Sequence, residues 1–229
     1  MKNSWFLFLC LLFSASLAGQ VKIVGVQAVL ATDRDGRGMI MSAKEIQGSP
    51  YVGENWYDGS VVYSNGISAK VGMLNFDLYS NKPTFREGDG FFHFRDPVRE
   101  IRYEAELNGK PKTMIFRNEY PPVGNQDKTF YYRVEEDGPK FQLLQLLEKV
   151  VYQEMVTIAV YEKKFVQQEE WYLFDAAAGK LIKLPKSKKD LAQAVNGLSP
   201  ALAAYIKSKS PNPKDAESMA VMVRVLNSQ

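Results

Sequence analysis

Gly59-Ser60-Val61-Val62-Tyr63-Ser64-Asn65-Gly66-Ile67-Ser68-Ala69-Lys70-Val71-Gly72-Met73-Leu74-Asn75-Phe76-Asp77-Leu78 is the stretch on which the fold turns. Two strand-like runs flank Ser64-Asn65-Gly66, where Asn-Gly supplies the positive φ of a tight hairpin turn. Beyond the turn, apolar residues occupy odd positions (Ile67, Ala69, Val71, Met73) and then even ones (Leu74, Phe76, Leu78). Strand side chains alternate between faces, so a change of phase without a turn requires an extra residue. The Met73-Leu74 step therefore predicts a β-bulge or a strong bend, as in a curling sheet.

Working outward, further turn signals stand at Ser80 to Pro83, Glu87 to Gly90, Asn108-Gly109, Asp137-Gly138 and Ala178-Gly179. Between them Ile101, Tyr103, Ala105 and Leu107 line one face of a strand, and Trp171 to Phe174 pairs with Leu181 to Leu184 as a hairpin. Many short strands with regular turns argue for an antiparallel sheet, curled or partly closed. Asn118 to Lys128 is the longest irregular stretch and a natural place for function. Residues 141–161 are ambiguous: Phe141, Leu144, Leu147 and Val151 fit a helix, while Val156, Ile158 and Val160 alternate as in a strand. Upstream, Val24, Val26, Ala28 and Leu30 form a weak strand pattern.

After Pro185 the pattern becomes helical. Ser187 with Asp190 makes an acidic capping box, Ser199-Pro200 and Asn212-Pro213 place a cap before a first-turn proline, and Met219, Met222, Val223 and Leu226 recur at helical spacing. The expected fold is α+β and mainly β: an antiparallel curled sheet or half-barrel over 19–184, with about three short C-terminal helices over 185–229 packed on it.

Residues 1–18 read as a secretory signal peptide. Lys2 gives a positive start, Trp5 to Phe13 an apolar run too short to span a bilayer as a stable helix, and Ser16-Leu17-Ala18 a small-x-small cleavage site. Cleavage is expected after Ala18, with Gly19 as the close alternative. Cys10, the only cysteine, leaves with this segment, and Leu9 before it is not the small residue a lipoprotein site requires. The chain is then exported to the periplasm or beyond, outer-membrane association included, and enters an oxidising compartment without disulfides. No transmembrane span is expected in the mature chain.

The sequence is 45% hydrophobic, 12% aromatic and 24% charged, values of a globular chain able to build a core. A formal charge of +3 is too small to suggest nucleic acid. Scarcity narrows the chemistry further. A lone histidine, His93 in Phe91-Phe92-His93-Phe94, cannot build a His-cluster zinc site, and no Gly-x-Ser-x-Gly elbow nominates a nucleophile for it. It reads as an ordinary strand histidine. Asp33-Arg34-Asp35-Gly36 resembles part of a calcium loop, with Asp33 and Asp35 as candidate ligands. In that register Ala31 is first and Ser42 twelfth, so the opening acid and the closing glutamate are both missing, and a tight Asp-Gly turn is the plainer reading.

Asp77, Glu87, Asp89, Glu100, Glu104 and Glu106 are scattered acids among which no catalytic pair is singled out. The run Lys180, Lys183, Lys186, Lys188, Lys189 reads as a solvated segment more readily than as a contact for an acidic surface. Trp56-Tyr57, Tyr131-Tyr132 and Trp171-Tyr172 are the candidate binding aromatics. Neighbours in a strand point to opposite faces, so one of each pair is expected in the core and the other outward, where it could stack on sugars or cover a partner.

Gly48-Ser49-Pro50-Tyr51, Gly59-Ser60-Val61-Val62-Tyr63, Asn65-Gly66, Leu74-Asn75-Phe76-Asp77-Leu78-Tyr79 and Phe85 resemble the opening of a family of uncharacterised exported bacterial proteins. In that family a Gly-Ser-Pro-Tyr start precedes a Gly-x-Val strand, a Gly-centred turn and a Tyr-Asn-x-Tyr type strand. The tail is similar too: Trp171-Tyr172, Lys183, Lys188-Lys189-Asp190-Leu191, Ile206-Lys207 and Asn227-Ser228. The resemblance spans about residues 47–229 and implies that 141–161 forms two strands around Glu148-Lys149. It brings no activity, cofactor or catalytic residue.

The expected function is that of a non-catalytic exported or envelope-associated protein that binds another protein, a glycan or a surface, with no cofactor. A carrier holding an apolar or lipid-like ligand inside the curled sheet is the alternative, and a carboxylate-based hydrolase the second.

Overall fold

A computed structural model describes residues 29–30, 46–107, 109–157, 160–195, 198 and 200–228. The proposed signal peptide, Cys10, Asp33, Asp35, Ser199 and the pattern from Val24 to Ala28 lie outside the described residues. The strands are β1 (Val29–Leu30), β2 (Ile46–Gln47), β3 (Tyr57–Tyr63), β4 (Ser68–Asp77), β5 (Lys82–Glu87), β6 (Gly90–His93), β7 (Val98–Leu107), β8 (Lys110–Arg117), β9 (Tyr132–Asp137), β10 (Phe141–Thr157), β11 (Val160–Asp175) and β12 (Lys180–Leu184). Three helices follow: α1 (Lys188–Ala194), α2 (Pro200–Lys209) and α3 (Ala216–Asn227). The strands form a single open sheet in the order β1-β6-β5-β4-β3-β7-β8-β9-β10-β11-β12. Pairing is antiparallel except for β2, which lies parallel to β11 at Lys163 and Lys164.

The β3–β4 hairpin carries the predicted bulge. Tyr57 pairs with Leu74 and Gly59 with Val71, so Gly72 and Met73 together oppose Asp58. Met73 takes the left-handed conformation, φ 53°, and turns outward rather than joining the odd-numbered apolar face, while Leu74 and Phe76 are driven into the core. The bulge re-aims the strand and tightens its twist. Gly59 opposite it is obligatory, because a Cβ there would stand 2.3 Å from the Arg102 carbonyl oxygen. At the turn, positive φ falls on Gly66 alone of the Asn-Gly pair. Asn65 instead accepts from the Ile67 amide through its side chain (3.0 Å).

The curl brings distant strands together. β4 and β10 are separated in the sheet by β3, β7, β8 and β9, yet the Lys149 amide donates to the Leu78 carbonyl at 3.0 Å. The enclosed space is filled: Phe76 stacks on Phe116 with centroids 4.1 Å apart and meets Tyr131 edge-on at 5.5 Å. Leu74, Ile101, Met114 and Leu147 complete this core.

The described residues of the ambiguous 141–161 segment are strand, forming neither the helix nor the two strands around Glu148-Lys149. Glu148 and Lys149 lie within one unbroken ladder with β11 that runs from Phe141 to Met155. Leu143 packs under α3, Trp171 and Leu184, whereas Leu144 and Leu146 face Tyr132, Tyr172 and Leu181. Both faces of the strand are covered, so its five consecutive residues Leu143 to Leu147 are all buried and the alternation that marks a one-sided strand is erased.

The helices start largely as expected. The Ser187 hydroxyl accepts from the Asp190 amide at 3.1 Å, and Pro200 opens α2. The cap of α3 is Asp215 rather than Asn212, accepting from the Ser218 amide at 2.9 Å. At the other end of α3, Asn227 clasps the β9–β10 turn. Its Oδ1 accepts from the amides of Lys140 (3.1 Å) and Phe141 (2.9 Å), and its Nδ2 donates to the Phe141 carbonyl (2.9 Å). Gly138 makes room for the clasp, since a Cβ there would lie 2.0 Å from Asn227 Nδ2.

Candidate functional site

Four of the six candidate aromatics are core residues. Tyr131, Tyr132, Trp171 and Tyr172 are all buried, so neither of the last two pairs sends a ring outward. The pleat does place partners on opposite faces, but the sheet here is covered on both. Tyr57 is half-buried and stacks on Tyr103 (5.3 Å, 7°). Trp56 lies between Tyr51 (4.8 Å) and the exposed Phe91 (5.3 Å) in a small aromatic group. Asp33 and Asp35 lie outside the described residues. Of the basic run, Lys183 pairs with Glu170 at 2.7 Å.

Two other features stand out. The first is the distal half of the β10–β11 hairpin. Beyond Lys149 the two strands leave the core as a ribbon on which Val150, Tyr152, Met155, Tyr161 and Val166 are exposed, Tyr152 and Met155 to 53% and 59%. Val150 faces Val166 and Met155 faces Tyr161 across the ladder. Among the described residues, β2 is the strand paired to the distal half, and Tyr79 meets Phe165 edge-on at 5.7 Å near its root. The ribbon carries one ion pair, with Lys164 donating to Glu154 at 2.5 Å, and a hydrogen bond from the Gln47 amide of β2 to Glu162 at 2.9 Å. At its root the Lys149 ammonium donates to the carbonyls of Ser49 (2.7 Å) and Tyr51 (2.6 Å). Partial burial holds its pKa below the usual lysine value against the pull of Asp77.

The second is a cleft of about 400 Å³ between the β4–β5 turn, the end of β6 and the loop after β8. Tyr79, Phe94, Phe130 and Tyr131 contribute rings, and Lys82, Asp96 and Glu148 contribute charge. The loop is tied to the turn by a reciprocal pair: Asn81 Nδ2 donates to the Tyr131 carbonyl (3.1 Å), and the Tyr131 amide donates to Asn81 Oδ1 (2.8 Å). The Tyr131 hydroxyl donates to the Val98 carbonyl. The Asn118–Lys128 loop, singled out by its length, thus supplies one wall through Asn118 and its continuation to Tyr131.

His93 lines this cleft, buried, with its protonation pattern fixed by its neighbours. The Thr84 hydroxyl donates to the Lys82 carbonyl (3.3 Å), so toward His93 Nδ1 (3.2 Å) it acts as acceptor. Nδ1 also approaches the Pro83 carbonyl (3.4 Å), which accepts only. Nδ1 therefore carries the proton, and Nε2 presents a lone pair. Burial, opposed by the Pro83 hydrogen bond and Asp77, holds the imidazole pKa below 6.5.

A third network pins the sheet beside the cleft. Arg117 binds Glu100 (2.7 Å) and, through both terminal nitrogens, Asp137 (3.1 and 2.8 Å). The guanidinium holds the Asp137 carboxyl below its usual range, and the Tyr120 hydroxyl donates to Gln142 at 2.8 Å. Every group here is answered by another within the chain, which marks a structural brace. No group of three or more His, Cys, Asp or Glu able to hold a metal occurs among the described residues. No helix among them is long and apolar enough to cross a membrane. No protein-family model, curated protein or solved structure matches the chain.

Proposed function

We propose that this is a non-catalytic exported protein that binds a protein partner through the distal half of the β10–β11 hairpin. The observation that carries this reading is the exposure of Val150, Tyr152, Met155, Tyr161 and Val166 on one narrow ribbon. An uncovered apolar ribbon is costly in water and prone to self-association. A partner that adds a strand to the edge of β10 beyond Lys149 and covers Val150, Tyr152 and Val166, which share a face, removes both costs. Interspersed charges such as Glu154, Lys163 and Lys164 suit a protein surface with polar groups of its own. Export rests on the pattern of residues 1–18, and the family likeness agrees with it.

The other readings have less behind them. A carrier needs a dry cavity inside the curl, where the Phe76, Phe116 and Tyr131 rings pack instead. A carboxylate hydrolase needs two acids free to act in a cleft. In the 400 Å³ cleft Asp96 is exposed and Glu148 half-buried. In the cleft of about 650 Å³ beside β11, Glu169 accepts from Gln145 (2.8 Å) and Glu170 from Lys183 (2.7 Å) and Tyr172 (2.9 Å). The test is co-purification from the envelope and secreted fractions of the native host. The wild-type chain should retain a defined partner that the Tyr152→Glu, Met155→Glu double variant loses while its melting temperature stays the same. Equal recovery of partners by both chains would defeat the reading.

A further inference from the structure

Ser80 Oγ, His93 Nε2 and Asn118 Oδ1 are buried side-chain atoms without a hydrogen-bond partner in the protein, and all three residues line the same cleft. They come from the β4–β5 turn, the end of β6 and the loop after β8. An unpaired buried polar atom is costly, so three around one opening mark where polar partners belong.

Their chemistry is specific. His93 Nε2 is an acceptor because Nδ1 holds the proton. Asn118 Oδ1 is an acceptor because Nδ2 is spent on the Val98 carbonyl at 3.3 Å. Ser80 Oγ can donate or accept. The cleft thus offers two fixed acceptors and one adaptable hydroxyl beside the rings of Tyr79, Phe94, Phe130 and Tyr131. The unpaired atoms are neutral, and the wall carries charge of both signs, Lys82 with Asp96 and Glu148. Hydroxyl donors would match the three unpaired atoms one for one, and a neutral ligand needs no counter-charge from the wall. Apolar ring faces beside hydroxyl-directed acceptors suit a sugar ring, with its C–H face and its hydroxyl edge.

We propose that this cleft binds a small neutral carbohydrate unit, whose hydroxyls donate to His93 Nε2 and Asn118 Oδ1 while Ser80 Oγ completes the set. The three atoms are closed to solvent, so binding includes a small opening of the wall around them. The cleft adjoins the hairpin, since Tyr79 on its wall meets Phe165 of β11 edge-on at 5.7 Å, but Ser80, His93 and Asn118 all lie on other elements.

Because the chain has one histidine, any imidazole nitrogen signal belongs to His93. Long-range ¹H–¹⁵N correlation spectra of the labelled full chain, recorded above pH 6.5, should show a protonated Nδ1 and a bare Nε2. Titration with glucose, galactose and N-acetylglucosamine at millimolar concentration should shift the Nε2 resonance saturably with at least one sugar. Ethylammonium should leave it in place. Asn118→Ala and Ser80→Ala should each weaken that sugar roughly tenfold, the loss of about one hydrogen bond. Ser80→Ala removes only a hydroxyl and keeps the test sound should Asn118→Ala fail to fold. An Nε2–H tautomer, no saturable shift with any of the sugars, an equal response to ethylammonium, or undiminished binding by Ser80→Ala would overturn the assignment.

Discussion

The two halves of the β10–β11 hairpin share one ladder and differ in what covers them. From Phe141 to Leu147 the strand is packed on both faces, under the helices on one side and against Tyr132 and Tyr172 on the other. From Val150 to Met155 the same strand, still paired residue for residue with β11, carries apolar side chains into solvent. Backbone pairing cannot explain the contrast, since it is common to both halves. Burial makes the root a structural element, and its lack leaves the distal ribbon available for contact.

Substitution breaks this comparison most sharply at the root. Leu144→Ala opens a cavity in a fully covered layer and should cost about 3 kcal/mol, read as a shift of the urea midpoint. Val150→Ala, six positions along the same strand, should stay within about 0.5 kcal/mol. A comparable loss at both positions would mean that the ribbon is covered in solution.

Lys149 marks the border. Lys149→Met removes two hydrogen bonds to the Ser49 and Tyr51 carbonyls and should cost about 1–2 kcal/mol. Amide exchange should quicken in residues 49–52 and leave the Leu143–Leu147 amides unchanged.

His93 sharpens the contrast from the covered side. Its folded pKa is depressed by burial, so the unfolded chain takes up its proton first as pH falls. The stability held by the neutral imidazole is complete above pH 6.5 and is lost as pH drops from there through the folded pKa. His93→Gln should flatten this part of the stability profile in denaturant titrations at stepped pH. Tyr152→Ser, on the uncovered side, should change neither the profile nor the melting temperature.

The same contrast governs what could be read from the residues. Turns and the bulge were legible, because Asn65-Gly66 and the phase switch at Met73-Leu74 are local signals. The length of β10 was not, since Leu143-Leu144 and Leu146-Leu147 are buried on both faces and show no period of two. For the same reason Tyr131-Tyr132 and Trp171-Tyr172 defeated the expectation of one ring in and one out. The Asn118–Lys128 loop announced itself by length. His93 gave no hint of a cleft, because its partners Thr84 and Pro83 lie on the neighbouring strand and the cleft also needs Asn118 from the distant loop after β8.

Photocrosslinking tests the central claim most directly. p-Benzoylphenylalanine placed at Tyr152 in the exported protein, with exposed Lys110 at the β7–β8 turn as control, should yield one discrete adduct with a partner protein at position 152 and none at 110. Adducts of the same pattern at both positions, or none at 152, would contradict the assignment of the ribbon as the binding surface.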